Sequence, residues 1–269
     1  MPLAHSSWGM LMTSDFLPTR LWVYTNYDCN LSCSYCVVRS SPKAEPRAIE
    51  SNKFRRLIKE AVEQGFDELY LTGGEPFLHP KIFPLLDYSV PRIKTTILTN
   101  ATILTPHRLE RISSFSPENL NFQVSFDSVN PSLNDFYRGP DSWKRTMDGV
   151  KQLLQFGFQP KLGGTLTPAI EESEQEFMDF FSKQGFAKSD IFFRPLIQGG
   201  FSLEGKTLSR GNLLPEVCVD EEGVYWHPLS PNPDFLVTRK LFPFDCTIEL
   251  FRKEMFQRKR NGIKSFSYQ

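Results

Sequence analysis

From residue 20 to about residue 200 the apolar positions alternate between a period of two and a period near 3.6. TRLWVYTNY reads as a strand. NKFRRLIKEAVEQG after it reads as a helix whose Phe54, Leu57, Ile58, Ala61 and Val62 share one face, with Gly65 as the stop. DELYLTGG, KTTILTN, LNFQVSFDS, QPKLGGTLTP and SDIFFRPLIQGG read as further strands. Between them IFPLLDYSV, HRLERISSF, SWKRTMDGVKQLLQFG and EESEQEFMDFFSKQG read as helices, the third with Trp143, Met147, Val150, Leu153 and Leu154 as its apolar stripe. Six such strand–helix units or near-units require parallel strands joined by right-handed crossovers, hence a doubly wound sheet or a barrel.

The polar and glycine-rich stretches TNYDC, TGGEP, LTN, SFDS, TLTP and RPLIQGG all fall where strands end. In parallel α/β folds that edge is where active sites are built, so the set describes an open, partial barrel around a ligand. After Gly200 the period changes. PEVCVDEEGVYWHP reads as a β-hairpin turning at DEEG, a proline-rich loop follows, and TIELFRKEMFQRKR reads as an amphipathic helix leading into a basic tail. The expected class is therefore α/β, a partial (β/α)6 TIM-like barrel with a small C-terminal hairpin-plus-helix extension. The expected division is a lead-in over 1–19, a core barrel over 20–200 and an extension over 201–269.

Composition narrows the setting. The 31 basic and 31 acidic residues of the 269 balance, which gives no electrostatic reason to expect nucleic acid or an anionic membrane surface as partner. No apolar run approaches the ~20 residues of a membrane span. MPLAHSSWGMLMTSD lacks a basic stretch followed by a continuous apolar core, so no signal peptide is expected. Five cysteines in a chain of this length argue against a secreted disulfide scaffold and for a cytoplasmic protein.

Three of those cysteines, Cys29, Cys33 and Cys36, lie in YTNYDCNLSCSYC with spacing C-x3-C-x2-C, directly after the first strand. Three thiolates can hold three irons of a [4Fe–4S] cube and leave the fourth iron open. A structural zinc site wants four closed N/S ligands, and the donors left, Cys218, Cys246 and four histidines, are distant in sequence. TGGEP ends the second strand. Its paired glycines, Gly73 and Gly74, let backbone approach a ligand closely, and Glu75 offers an anionic acceptor for a protonated amine. An open iron beside an ammonium seat fits a ligand that chelates iron through an amino acid moiety, as S-adenosylmethionine can.

CNLSCSYC together with GGEP resembles the radical S-adenosylmethionine (radical SAM) superfamily, whose signature is C-x3-C-x2-C with an aromatic before the last cysteine, here Tyr35. The resemblance covers roughly residues 20–200 and implies the same partial (β/α)6 barrel. It implies that Cys29, Cys33 and Cys36 ligate a [4Fe–4S] cluster, that Tyr35 packs near the adenine, and that Gly73, Gly74 and Glu75 contact the methionine amino group. Asn100 is expected on the rim of the same mouth. Ser125 and Asp127 are expected at ribose or carboxylate contacts, and Arg138 or Arg194 as partner of the methionine carboxylate through a bidentate fork. The fifth strand matches the family's glycine pattern only loosely. His79 is expected to cap a turn.

The resemblance further implies reductive cleavage of S-adenosylmethionine to methionine and a 5′-deoxyadenosyl radical that abstracts hydrogen from a peptide or small-molecule substrate. The electron would come from a flavodoxin- or ferredoxin-type donor. VCVDEEGVYWHP is similar to the hairpin of SPASM or twitch extensions, which hold further clusters. Here His227 or Pro228 stands where the next cysteine is expected, and only Cys246 follows. A degenerate hairpin without metal, with Cys218 as a small core residue, is the expected reading. The rival class is a non-catalytic iron–sulfur or zinc redox or sensor protein, against which GGEP argues, since electron relay has no use for an ammonium seat.

Overall fold

The computed structural model describes residues 19–171, 174–211, 213–229 and 233–260. Most of the expected N-terminal lead-in and the end of the basic tail lie outside them. Strands β1 (Arg20–Asn26), β2 (Glu68–Gly73), β3 (Lys94–Thr99), β4 (Leu120–Ser125), β5 (Lys161–Leu166) and β6 (Ile191–Pro195) run parallel in the order β6-β5-β4-β3-β2-β1. Helices α1 (Ser51–Glu63), α2 (Ile82–Ser89), α3 (Pro106–Ser113), α4 (Pro131–Arg138), α5 (Ser142–Gln155), α6 (Pro168–Glu171) and α7 (Glu174–Ser182) fill the crossovers. Among the described residues β6 does not pair with β1, so the barrel is partial, as the alternating pattern predicts.

Side-chain alternation separates the two faces of this sheet. Leu21 and Val23 of β1 and Leu69 and Leu71 of β2 join the aliphatic and phenylalanine-rich layer under the helices. Trp22, Tyr24 and Tyr70, one position over, pack in a second cluster on the opposite face. In α1 Phe54, Leu57, Ile58 and Ala61 are buried as their spacing predicts, whereas Val62 is 40 % exposed, at the margin of the stripe. Helix α4 is not anticipated in the sequence. It starts at Pro131 behind Asn130, whose side chain accepts from the backbone N–H groups of Ser132 and Leu133.

The C-terminal hairpin extends the same sheet. Strands β7 (Cys218–Val219) and β8 (Val224–Tyr225) form the expected antiparallel hairpin, with Asp220 Oδ1 accepting from the N–H groups of Glu222 and Gly223 in its turn. Strand β7 pairs parallel with β1, Trp22 opposite Cys218, and β9 (Leu236–Thr238) completes a nine-stranded sheet. Residue 200 therefore marks a change of strand pattern, not a break in the sheet. Helix α8 (Phe244–Arg260) buries Phe244, Ile248 and Phe251, the last stacked on Trp226 at 5.4 Å, and the Phe244 N–H donates to Glu60 of α1. Among the described residues no helix is long and apolar enough to cross a membrane.

Candidate active site

After β1 the chain crosses the barrel mouth in a loop tied to three other elements. Asn26 Nδ2 donates to the carbonyls of Asp28 and Glu75, each at 3.0 Å, which fastens the loop start to the end of β2. The Ser34 N–H donates to the Tyr137 carbonyl in α4, and the Phe201 N–H donates to the Cys36 carbonyl. A cavity of about 240 Å³ opens beneath. Its wall includes Cys29, Cys33 and Cys36 together with Tyr35, Gly73, Gly74, Asn100, Ser125, Arg138 and Arg194. Thus one cavity gathers ten of the twelve residues singled out in the sequence; Glu75 and Asp127 stand behind it.

Nothing in the loop competes for the thiols except weak donors aimed at sulfur. Cys29 Sγ accepts from the Leu31 N–H at 3.4 Å and from Asn100 Nδ2 at 3.8 Å, and Cys36 Sγ accepts from the Ser40 N–H at 3.3 Å. Burial pushes the Cys29 thiol up to about 12, with the Leu31 N–H opposing, and also raises Cys33, where Arg138 opposes. Such thiols stay protonated until a cation displaces the proton, and N–H donors then stabilise the resulting thiolates.

The glycines of TGGEP serve a close approach between two stretches of backbone. A Cβ on Gly73 would sit 2.2 Å from the Asn26 carbonyl oxygen, and one on Gly74 would sit 2.1 Å from that of Asp28. Their missing side chains let the cysteine loop nest on β2, and the Gly74 and Glu75 N–H groups donate to Asn26 and Asp28 at 2.8 and 2.9 Å. The Glu75 side chain is held behind that turn. Its carboxylate is fully buried: Oε1 accepts from the Phe77 N–H at 3.1 Å and from Thr99 Oγ1 at 2.8 Å, and Oε2 accepts from the Asn100 N–H at 2.8 Å. Burial raises its pKa while these bonds oppose. Glu75 thus pins the end of β3, and with it Asn100, to the TGGEP turn instead of facing the cavity.

Tyr35 likewise does more than offer a ring. Its hydroxyl donates in a short bond to Asp127 Oδ2 and accepts from Arg138 Nη1 at 2.7 Å, while Arg138 lies 3.6 Å from the same carboxylate oxygen. Asp127 Oδ1 accepts from the Thr165 N–H at 3.0 Å, which joins β4 to β5. Arg138 Nε is buried without a hydrogen-bond partner among the described residues. Arg194 stacks over Phe192 at 5.0 Å, and burial lowers its pKa, opposed chiefly by Glu216. His79 Nδ1 accepts from the Lys81 N–H, the turn-capping role expected of it.

Sequence reasoning passed over Trp22, Tyr24 and Glu216, which also line the cavity, as does His227. Glu216 precedes the hairpin, and only the pairing of β7 with β1 brings it to the barrel. Cys218 is buried in the sheet and Cys246 is exposed on α8. Among the described residues no three His, Cys, Asp or Glu side chains are grouped closely enough for a single metal ion.

The family model described as the Radical SAM superfamily matches residues 23–183. The chain is 26 % identical over 167 residues to the AdoMet-dependent heme synthase of Methanosarcina barkeri (strain Fusaro / DSM 804), covering 61 % of this chain and 47 % of that protein. It is 29 % identical over 143 residues to the antilisterial bacteriocin subtilosin biosynthesis protein AlbA of Bacillus subtilis (strain 168), covering 52 % and 32 %. The chain thus spans about a third to a half of the length of these relatives. Among solved structures, Streptococcus suis SuiB bound to S-adenosylmethionine superposes with TM-score 0.61 at 21 % identity, over 72 % of this chain and 45 % of that one. Native anSMEcpe with bound AdoMet superposes with TM-score 0.69 at 13 % identity, over 88 % and 83 %. With a family match that covers residues 23–183 and holds all three cysteines and GGEP, the chain belongs to the radical SAM superfamily.

Proposed function

We propose that the chain is an enzyme that cleaves S-adenosylmethionine reductively and uses the product to remove hydrogen from a peptide or small-molecule substrate. The single observation that carries this is the convergence of Cys29, Cys33 and Cys36 with Gly73 and Gly74 on one cavity. The residues fit a [4Fe–4S] cluster: three thiols line one wall with N–H donors already aimed at two of the sulfurs, and no fourth cysteine shares that wall. Cys29, Cys33 and Cys36 would hold the cluster. When bound, the cluster and S-adenosylmethionine together supply one-electron cleavage to methionine and a 5′-deoxyadenosyl radical.

The chain's own residues orient and shield. The backbone at Gly73 and Gly74 seats the amino group, with the Glu75 carboxylate behind it fixing that backbone. Arg138, its Nε without a partner among the described residues, takes the methionine carboxylate, and Tyr35 and Asp127 hold its guanidinium in place. Ser125, on the same wall, is in reach of the ribose. Arg194, Trp22 and Tyr24 line the remaining wall and face the substrate. A flavodoxin- or ferredoxin-type protein supplies the electron, and an oxygen-labile iron site suits a reducing, cytoplasmic setting. SuiB is also solved bound to a precursor peptide, SuiA, and AlbA is named for the biosynthesis of a bacteriocin, which favours a peptide as substrate class.

Anaerobically reconstituted protein given dithionite should convert S-adenosylmethionine to methionine and 5′-deoxyadenosine, read by chromatography. Intact S-adenosylmethionine after reduction of a loaded protein would overturn the proposal. Tyr35→Phe removes the hydroxyl between Asp127 and Arg138 and should weaken S-adenosylmethionine binding by about tenfold, equivalent to roughly 1.4 kcal/mol. Equilibrium dialysis checks this, with iron content expected to stay at the wild-type level.

A further inference from the structure

The cavity wall farthest in sequence from the cysteines carries an arrangement that cluster and cosubstrate binding leave unused. Glu216 is 7 % exposed and His227 is 2 % exposed; they flank the C-terminal hairpin, and the Glu216 N–H donates to the Trp226 carbonyl. One Glu216 oxygen is committed: Oε2 accepts a short bond from Trp22 Nε1 and lies 3.8 Å from Arg20 Nη1. The other, Oε1, takes no part in the Trp22 bond and faces His227. It lies 4.0 Å from His227 Nε2, too far for a direct bond.

The tautomer of that imidazole follows from its other nitrogen. His227 Nδ1 accepts from the Leu229 N–H at 3.1 Å, so in the neutral ring the hydrogen sits on Nε2 and faces Glu216. Burial and the neighbouring Arg194 lower the His227 pKa to about 4, which keeps the ring neutral at ordinary pH. The gap is therefore bounded by one donor and one acceptor 4.0 Å apart. A single oxygen atom about 2.8 Å from each spans it. A hydroxyl satisfies both, because it accepts and donates at one atom; an amide N–H, an ammonium or a methyl group leaves at least one side unpaired.

We propose that Glu216 and His227 form a subsite for a hydroxyl group of the substrate, which donates to Glu216 Oε1 and accepts from His227 Nε2–H. This deepens the proposed function and rests on its reading of the cavity as the place where substrate meets S-adenosylmethionine. It adds a substrate class, a hydroxyl-bearing molecule or side chain. It also gives the C-terminal hairpin a recognition role.

The test is binding, measured on the full reconstituted chain by saturation-transfer NMR with matched pairs: threonine and valine, serine and alanine, tyrosine and phenylalanine, glycerate and propionate. The hydroxylated member of at least one pair should bind about tenfold or more tighter than its partner. Glu216→Gln can keep an acceptor for Trp22 while turning an amide N–H towards the gap. His227→Asn can keep an acceptor for the Leu229 N–H while removing the ring donor. Each variant should bring the ratio close to one, with iron content and melting temperature confirming an intact fold. Equal binding within every pair, or a preference that survives both variants, overturns the proposal and assigns the gap to a water molecule. Cleavage of S-adenosylmethionine by the wild-type preparation is recorded alongside. Its failure sinks the proposed chemistry while leaving the hydroxyl preference to be judged on its own.

Discussion

Cys33→Ala should leave a folded chain that no longer cleaves S-adenosylmethionine. Cys33 lies on the cavity wall beside Arg138 and Asp127 and belongs to neither hydrophobic cluster, so losing its sulfur costs the fold little. Its loss leaves two thiolates for a cube that needs three. Changes in the groups behind metal ligands already cost about 10–100-fold in affinity or activity, so loss of a ligand should exceed that. The expected result is wild-type circular dichroism, iron well below the wild-type content and product below about one hundredth of the wild-type level. A variant that still cleaves at the wild-type rate would contradict the ligand assignment.

The second large effect is expected from a single methyl group. Gly74→Ala places a Cβ 2.1 Å from the Asp28 carbonyl oxygen, a backbone atom that cannot swing aside as a side chain can. Either β2 or the cysteine loop must move, and the loop is the freer of the two. Overpacking of this kind costs about 1–3 kcal/mol, which for a chain of this size lowers the melting temperature by roughly 2–4 °C per kcal/mol. The functional loss should exceed the stability loss, because the displaced Asp28 adjoins Cys29. Iron content should fall well below that of Gly211→Ala, where an added Cβ makes only an ordinary contact with Ser209 Oγ at 3.6 Å. Equal iron in the two variants would show that the nesting of the loop on β2 does not position the thiols. Glu75→Ala tests the same turn from the other side, by removing three acceptor contacts at once while leaving the glycines in place.

Much of this site is legible because its chemistry is local in sequence. The cysteine spacing follows one strand, TGGEP ends the next, and strand ends in a parallel sheet must share an edge. What the chain pattern cannot give is the direction of a side chain within a turn. Glu75 follows two glycines in an irregular stretch with no period, so its inward aim emerges only from the N–H donors that converge on it. Helix α4 escaped notice because eight residues with Pro131, Ser132 and Asn134 look like a loop until Asn130 caps them. The two-residue strand Cys218–Val219 carries no register information, so its pairing with β1 was not readable, and neither was the arrival of Glu216 and His227 at the cavity.

The central claim is that three cysteines suffice because the remaining iron is left for the cosubstrate. The most direct measurement is the electron paramagnetic resonance spectrum of the dithionite-reduced protein before and after addition of S-adenosylmethionine, on a sample with about four irons per chain. The account predicts a [4Fe–4S] signal whose shape changes when S-adenosylmethionine is added. An identical spectrum in its presence, or a purified chain carrying stoichiometric zinc and no iron, would contradict it.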